Sequence, residues 1–293
     1  IQAALASPGV DSISALFAFA LILIALAFKL GAAPFHLWIP DVYQGAPTPI
    51  TAFLSVGSKA AAAIMTLRLV TPFLASPVLS GKVTAVLTGV AILTLLVGNL
   101  AALPQKNFKR LLGYSSIGHS GFLLMALASA PVESARGALT PATVIAFYLG
   151  AYLLMTLLAF LVLSAVRPLF PGEEVDSFRG LAKRSPFLAF ALLVAMTSLA
   201  GVPLTAGFFG KLFAFQMAIN AQQWGLLTAG LIGAAAGFYF YLRIAVSMYF
   251  SDPQKEDAAA IRVNPLTRTA MVILIVLIVA VGIAPGLIGT LLW

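Results

Sequence analysis

The 293-residue sequence contains no cysteine and only two histidines, His36 and His119. The absence of cysteine excludes disulfides, thiolate iron–sulfur ligation and cysteine nucleophiles in this chain. With so few histidines, metal or haem ligation has little to rest on, and we predict no metal site. Charged residues are also scarce, at 9% of the chain. Any redox chemistry coupled to this chain is therefore expected elsewhere.

Apolar residues make up most of the sequence, at 61%, with a mean hydropathy of +1.04. Eight apolar stretches each reach the roughly 20 residues that an α-helix needs to cross a bilayer. They cover residues 12–39, 48–71, 82–103, 108–130, 139–166, 186–219, 225–250 and 268–292. The pattern predicts an all-α polytopic membrane protein with about eight visible transmembrane helices in a single transmembrane domain, 1–293.

Basic residues are concentrated in alternate connections between these stretches. The rich connections carry Lys106, Lys109, Arg110, Arg167, Arg179, Lys183, Arg184, Lys255, Arg262 and Arg268. The intervening connections hold far fewer basic residues, among them Lys82 and Arg136. Because basic loops stay on the cytoplasmic side, we predict both visible termini on the outer, periplasmic side. The mixed-charge loop 167–185 is expected to be a solvated cytoplasmic connection.

Three lysines interrupt apolar stretches: Lys29, Lys59 and Lys211. An ammonium near the centre of a membrane helix costs at least about 2.5–3.5 kcal/mol and usually marks an ion or proton pathway. Lys29 has an alternative interpretation, since a lysine near a helix end can snorkel to the interface. Lys59 lies too near the middle of its stretch for that. We predict that this chain moves protons.

Two stretches contain residues that break helices. Gly31 and Pro34 follow Lys29, and Gly201 and Pro203 precede Lys211. Proline removes a backbone donor and clashes with the preceding turn, so both helices are predicted to be discontinuous. Paired interruptions are typical of transporters built from inverted repeats, and the freed carbonyls can accept hydrogen bonds from an ammonium.

Polar side chains also repeat on two other stretches. They are Tyr114, Ser115, Ser116, His119 and Ser120 in the fourth, and Tyr148, Tyr152 and Thr156 in the fifth. Residues four apart share a helix face, so these groups could line a file of water. Hydroxyls also hold membrane helices together by hydrogen bonds, which is the alternative role. His119 titrates near neutrality, which makes it either a proton relay or a satisfied core histidine.

None of the nine acidic residues falls inside an apolar stretch. A buried lysine needs a carboxylate nearby if its charged form is to be favoured. We therefore expect its counter-charge outside this stretch of sequence. The chain opens at Ile1 without an initiator methionine, and we expect an N-terminal portion to be missing.

Three runs carry a resemblance to a known family: FKLGAAPFHLWIPDVYQGAPTPITAFLSVGSKAAA, GNLAALPQKNFKRLLGYSSIGHSGFLLMAL and GVPLTAGFFGKLFAF. They resemble the N subunit of bacterial respiratory complex I, the proton-translocating NADH:quinone oxidoreductase of the inner membrane. The resemblance implies helices seven to fourteen of a fourteen-helix antiporter-like subunit. It places the end of a first inverted repeat at 1–71, a second repeat at 82–250 and a C-terminal helix at 268–292.

The resemblance also implies roles and partners. Lys29, Lys59 and Lys211 match the family's proton-translocating lysines, and the family's glutamate that pairs with the first would precede Ile1. Electrons would pass from NADH, the reduced form of NAD, through FMN and iron–sulfur clusters to quinone in partner subunits, with no cofactor in this chain. Its partners would be neighbouring antiporter-like and small membrane subunits. Lys211 disfavours the related M type, which carries glutamate there, and Lys59 disfavours the L type, which usually carries histidine.

Two alternatives remain at this point. Similar subunits occur in multisubunit sodium/proton antiporters and membrane-bound hydrogenases, and proton movement driven by sodium rather than by electron input would favour the antiporters. A passive scaffold that anchors neighbouring subunits is the other. It predicts that neutralising all three lysines lowers no transport rate.

Overall fold

The computed structural model describes residue 5 and residues 11–130, 139–167, 173–252 and 263–287. These parts of the chain are helical and contain no β-strand, with one isolated bridge between Asn107 and Glu174. The helices are α1 (Ser12–Leu30), α2 (Trp38–Gly45), α3 (Thr48–Phe53), α4 (Lys59–Leu74), α5 (Ser80–Ala102), α6 (Phe108–Ala128), α7 (Pro141–Val166), α8 (Leu181–Arg184), α9 (Pro186–Ala200), α10 (Ala206–Asn220), α11 (Trp224–Phe250) and α12 (Pro265–Ile283). The predicted all-α class is confirmed.

Within the described ranges, 7 helical segments are long and apolar enough to cross a membrane. They are α1, the continuous segment Thr48–Leu74, α5, α6, α7, α11 and α12. The remaining predicted stretch, 186–219, is divided between α9 and α10. The last predicted stretch, 268–292, lies in a helix that runs from Pro265 to Ile283, and its final residues, 288–292, lie outside the described part. The chain is therefore a multi-pass membrane protein.

Both predicted interruptions are present. The first stretch is helical to Leu30 and resumes at Trp38, and the sixth is helical to Ala200 and resumes at Ala206. Each first half ends at a glycine in the left-handed region, Gly31 at φ 75° and Gly201 at φ 86°. Such a glycine is the usual end of an α-helix, because it avoids the steric penalty of a Cβ atom.

A π-helical turn was not predicted. Residues Leu54–Ser58 form this turn between α3 and α4, directly before Lys59. The wider turn shifts the register of the side chains that follow it, and such turns are frequent at functional sites. The apolar pattern of 48–71 alone gives no sign of it.

Helix α6 occupies the centre of the bundle. Of the membrane-spanning part of α6, 94% is buried within this chain, against 22% for α12. Its contact with α5 is close because two glycines meet: a Cβ atom added to Gly98 would lie 2.3 Å from the backbone nitrogen of Gly118. The polar residues of α6 are therefore shielded from lipid by neighbouring helices.

The described parts of the first two basic connections meet at one end of the bundle, which we call the basic end. The backbone nitrogen of Val175 donates to the carbonyl of Lys106 at 2.7 Å, and that of Gly180 donates to Ser247 at 3.1 Å. Phe178 in this connection is only 1% exposed. The expectation that loop 167–185 is merely solvated is therefore wrong for its described part, which packs into the bundle.

Candidate functional site

The break after α1 leaves a carbonyl oxygen facing the interior. Gly31 and Ala32 donate to the carbonyls of Phe28 and Ala27, which closes the last turn of the helix. The carbonyl of Leu30 comes later and cannot find a donor within the helix. It is free to accept hydrogen bonds from side chains of other helices.

The Lys59 side chain reaches this carbonyl. Lys59 is 3% exposed, and its Nζ donates to the Leu30 carbonyl at 3.1 Å and to the Ser116 carbonyl at 2.8 Å. A third hydrogen bond runs to the Ser120 hydroxyl. Ser120 also donates to Leu30 at 2.7 Å, so the ammonium and the hydroxyl share one acceptor. The three donors of the ammonium all have partners.

The break after α9 repeats the arrangement. Gly201 and Val202 donate to the carbonyls of Ser198 and Thr197, as Gly31 and Ala32 do at the first break. Lys211, 7% exposed, donates from Nζ to the last two helix carbonyls, at 2.9 Å to Leu199 and 2.7 Å to Ala200. Each discontinuous helix therefore ends on the ammonium of one buried lysine.

His119, on α6, is hydrogen-bonded to a chain of hydroxyl groups from α6, α7 and α11. Its Nδ1 is 2.7 Å from the Tyr148 hydroxyl, and its Nε2 is 3.2 Å from the Tyr241 hydroxyl. Tyr241 is hydrogen-bonded in turn to Ser115. The imidazole is 4% exposed, and the Tyr152 ring packs against it with centroids 4.8 Å apart. Both ring nitrogens have a partner that can donate or accept a proton.

The two ammonium groups lie on either side of this chain. Lys59 contacts α6 at Ser116 and Ser120, while Lys211 Nζ lies 5.5 Å from the centre of the Phe122 ring. An ammonium at that distance from an aromatic face is attracted by the ring quadrupole. Residues 115–122 of α6 therefore contact both lysines and include the histidine. We call these residues, together with Lys59, Lys211 and the hydroxyl groups bonded to His119, the α6 cluster.

A family model for the NADH:quinone oxidoreductase/Mrp antiporter transmembrane region matches residues 2–237. The chain belongs to this family. Among solved structures, it is similar to a chain of respiratory complex I from Thermus thermophilus with bound aureothin, with 39% identity, a TM-score of 0.78, and coverage of 97% of this chain and 60% of that one. It thus spans less than two thirds of that relative's length.

Two further solved structures extend the comparison. The archaeal membrane-bound sulfane sulfur reductase contains a chain with 27% identity and a TM-score of 0.80, matched over 91% of this chain and 52% of that one. A chain of the Mrp complex from Dietzia sp. DQ12-45-1b has 20% identity and a TM-score of 0.80, over 95% of this chain and 58% of that one. This last similarity shows the shared fold alone.

Not every predicted site residue of this family member joins the α6 cluster. Lys29 lies on an exposed face of α1, and among the described residues it has no hydrogen-bond or ion-pair partner. Tyr114 is half-buried and lies 5.9 Å from the Arg110 guanidinium. Pro34 and Pro203 are exposed within the two breaks. Ser115, Ser116, Tyr148 and Tyr152 belong to the cluster or pack against it.

Sequence reasoning missed three side chains near the cluster. Tyr241 bridges Ser115 and His119, and the Tyr43 hydroxyl lies 3.0 Å from Ser116 Oγ. Neither tyrosine has a polar residue four positions away in the sequence, so the spacing that marks the fourth and fifth stretches does not mark them. Glu173 is one of the acidic residues outside the apolar stretches, yet it is 6% exposed and paired with Lys109 at 2.9 Å.

The donor set of this site is nitrogen and hydroxyl without carboxylates. Within the described ranges, no group of three or more His, Cys, Asp or Glu residues is placed to hold a metal ion. Ammonium, imidazole and hydroxyl groups exchange protons with their hydrogen-bond partners. The arrangement is therefore suited to holding and passing protons.

Proposed function

We propose that this chain is part of a proton-translocating, antiporter-like membrane subunit of NADH:quinone oxidoreductase, respiratory complex I. The observation that carries the proposal is the α6 cluster, where two buried ammonium groups cap two broken helices on either side of one histidine. Its support from relatives is the family match and the 39% identity to a chain of Thermus thermophilus complex I.

The chain contributes proton transfer to the proposed complex and leaves electron transfer to other subunits. NAD, FMN, iron–sulfur clusters and quinone would be held by those partners, with a neighbouring antiporter-like subunit and small membrane subunits around this chain. The location would be the bacterial inner membrane, with the basic end in the cytoplasm and both visible ends of the chain outside. The chain itself would be one component of the translocase.

The mechanism uses the freed carbonyls. A carbonyl oxygen accepts only, so a charged lysine satisfies it with any of three N–H groups, while a neutral lysine keeps two. Lys59 or Lys211 can therefore lose one proton without leaving its helix end unsatisfied. Losing the proton removes a buried charge, which is itself favourable in a low-dielectric interior.

The roles along the path are those that the family resemblance implies. Lys29 would load from the cytoplasmic side, Lys59 would connect the two half-channels, and Lys211 would serve the outer side. His119 would pass protons between Lys59 and Lys211 through Tyr148 and Tyr241. The exchanged direction, with Lys211 loading and Lys29 releasing, is equally compatible with this order.

The proposed division of the chain follows the two breaks. Residues 1–71 would end a first inverted repeat, 82–250 would form the second, and 268–292 would add a C-terminal helix. The matching hydrogen bonds at Gly31 and Gly201 support a repeat relationship. The ammonium at the first break is supplied by Lys59 from the following membrane helix, and the one at the second break by Lys211 from the second half of the broken helix.

The test is NADH-driven proton uptake by sealed inverted vesicles, in which native protein is compared with Lys59→Ala at equal amounts of assembled complex. We expect NADH oxidation and uptake to fall together, by about tenfold or more, because a positioned proton-transfer group contributes at least that much. Full pumping stoichiometry in this variant would exclude the relay role.

Two other functions predict different results. A sodium/proton antiporter or membrane-bound reductase subunit, supported by the 27% identity to the sulfane sulfur reductase chain, would respond to its own driving ion or electron acceptor rather than to NADH. A passive scaffold would retain transport after all three lysines, Lys29, Lys59 and Lys211, are neutralised.

A further inference from the structure

A second buried charge cluster lies at the basic end, outside the α6 cluster. Lys109, 3% exposed, forms an ion pair at 2.9 Å with Glu173, which is 6% exposed. The Arg167 guanidinium approaches the other carboxylate oxygen, with Nε 3.0 Å away. Lys109 also donates to the carbonyl of Ala46, at the end of α2, at 2.8 Å. Buried ion pairs contribute little to stability, so stability alone does not explain why this pair is buried.

The backbone holds the Glu173 carboxylate in place at an energetic cost. Glu173 has φ 51°, in the left-handed region that a non-glycine residue rarely adopts. Such a conformation costs about 1–3 kcal/mol and occurs most often at functional sites. Two hydrogen bonds hold the strand-like segment around it: Phe108 donates to Glu173 at 2.8 Å, and Val175 donates to Lys106 at 2.7 Å.

The ion pair forms the floor of a polar cleft. The cleft has a volume of about 310 Å³, and its lining includes Gln44, Ala46, Asn107, Lys109, Arg167 and Glu173. Gln44 and Arg167 on its rim are exposed, whereas Lys109 and Glu173 on its floor are buried. Since a water molecule occupies about 30 Å³, the cleft has room for several waters between the surface and the carboxylate.

The floor of the cleft is also near Lys59. Tyr43, one turn before Ala46 on α2, is 1% exposed, and its hydroxyl lies 3.0 Å from Ser116 Oγ. The carbonyl of the same serine accepts from Lys59 at 2.8 Å. Along α6, Lys109 and Ser116 are seven residues apart, which is about 10 Å of helix. Two helical turns therefore separate the cleft from the α6 cluster.

From these observations we infer that Glu173 is the carboxylate that takes up protons from water at the basic end, and that Tyr43 and Ser116 lie between it and Lys59. The carboxylate accepts a proton from a hydronium ion, which becomes a water molecule. It then releases the proton to the next water molecule towards the interior. Lys109 stabilises the carboxylate between these steps. The Ala46 carbonyl gives the ammonium a second partner when Glu173 becomes neutral. The inference rests on the proposed function, since Glu173 would form the entrance of the proposed proton path.

The experiment is NADH-driven proton uptake by inverted vesicles containing the complete complex, with the basic end facing the medium. Glu173→Gln keeps the side-chain size and removes the titrating group, and we expect uptake and NADH oxidation to fall about tenfold or more. The matched control is Glu174→Gln, because the neighbouring glutamate is exposed. Its rates should equal those of the native complex. Equal rates for Glu173→Gln would overturn the inference.

A purely structural ion pair would also lose activity on Glu173→Gln, so two further measurements separate the roles. The double variant Lys109→Met/Glu173→Gln removes both charges, and replacing a buried pair in this way commonly preserves stability. We expect assembly at native levels with low NADH oxidation. Recovery of native oxidation in the double variant would show that the pair is only structural and would refute proton uptake at Glu173.

Rescue by a small acid supplies the positive signature. Formate is small enough for the cleft and can deliver protons in place of the missing carboxyl group. In uncoupled vesicles, added formate should raise NADH oxidation by Glu173→Gln severalfold and leave the native rate unchanged. No response to formate would contradict the inference. Lys59→Ala serves as reference: if it loses pumping while Glu173→Gln does not, only the inference fails, and if neither does, the proposed function fails.

Discussion

Removal of the Lys211 ammonium should destabilise the protein far more than removal of the Lys59 ammonium. Both lysines are nearly fully buried, and both donate to carbonyl oxygens of broken helices. Methionine is an unbranched apolar side chain that fills similar space without charge. The desolvation penalty that each ammonium carries is relieved in both variants. The difference in stability between the variants therefore depends on how many carbonyls lose their hydrogen-bond donor.

The hydrogen bonds around each lysine set the magnitude. In Lys59→Met, the Ser120 hydroxyl remains as donor to the Leu30 carbonyl at 2.7 Å, and the Ser116 carbonyl keeps the backbone N–H of its own helix. In Lys211→Met, the last two carbonyls of α9 lose the only side-chain donor that the described residues provide. Each buried acceptor left unsatisfied costs about 1–3 kcal/mol, so Lys211→Met should be less stable than Lys59→Met by about 2–6 kcal/mol.

Thermal denaturation of the assembled complex in detergent, with this subunit followed on native gels, measures the difference. Because about 1 kcal/mol shifts the Tm of a chain of this size by about 2–4 °C, Lys211→Met should melt at least about 4 °C below Lys59→Met. Lys82→Met, at an exposed lysine in the first turn of α5, should melt with the native protein. Equal melting of the Lys59 and Lys211 variants would refute the argument from freed carbonyls.

Two further substitutions test the α6 cluster and its support. Tyr241→Phe removes the hydroxyl that joins Ser115 to His119; we expect a stability loss of about 1–3 kcal/mol and slower proton uptake. Tyr239→Phe, at a residue 61% exposed on the same helix, should leave both unchanged. Gly98→Ala places a methyl group 2.3 Å from a backbone nitrogen of α6, and overpacking of this kind costs about 1–3 kcal/mol or more. Gly89→Ala meets no atom within 4 Å and should preserve complex assembly on native gels, whereas Gly98→Ala should lower it.

The sequence determined the membrane segments because their signals are local. An apolar run of sufficient length becomes a membrane helix, and a Gly-x-Pro or Gly-x-x-Pro interruption ends one, as at Gly201 and Gly31. The buried position of Lys59 followed from the apolar residues on either side of it. The resemblance to a known family was also carried by short contiguous runs.

The tertiary structure decided which groups meet. Lys59 lies 29 residues from the carbonyl of Leu30 and 61 from the hydroxyl of Ser120, and no spacing rule predicts such contacts. Lys29, which adjoins the first break in sequence, is exposed, while Lys59 from the next helix caps that break. The direction of a side chain at a helix end depends on the helices packed around it. The periodicity of one segment does not predict that packing.

The same reason explains why no sequence pattern marks Glu173 as buried. Its burial depends on backbone pairing with residues 106–108 and on the Lys109 ammonium, more than sixty residues earlier in the chain. The sequence by itself thus specified which apolar segments are helical and which lysines they carry. Only the packing of those helices around α6 decided which polar groups share one interior, because hydrogen bonds join atoms that are close in space regardless of their separation along the chain.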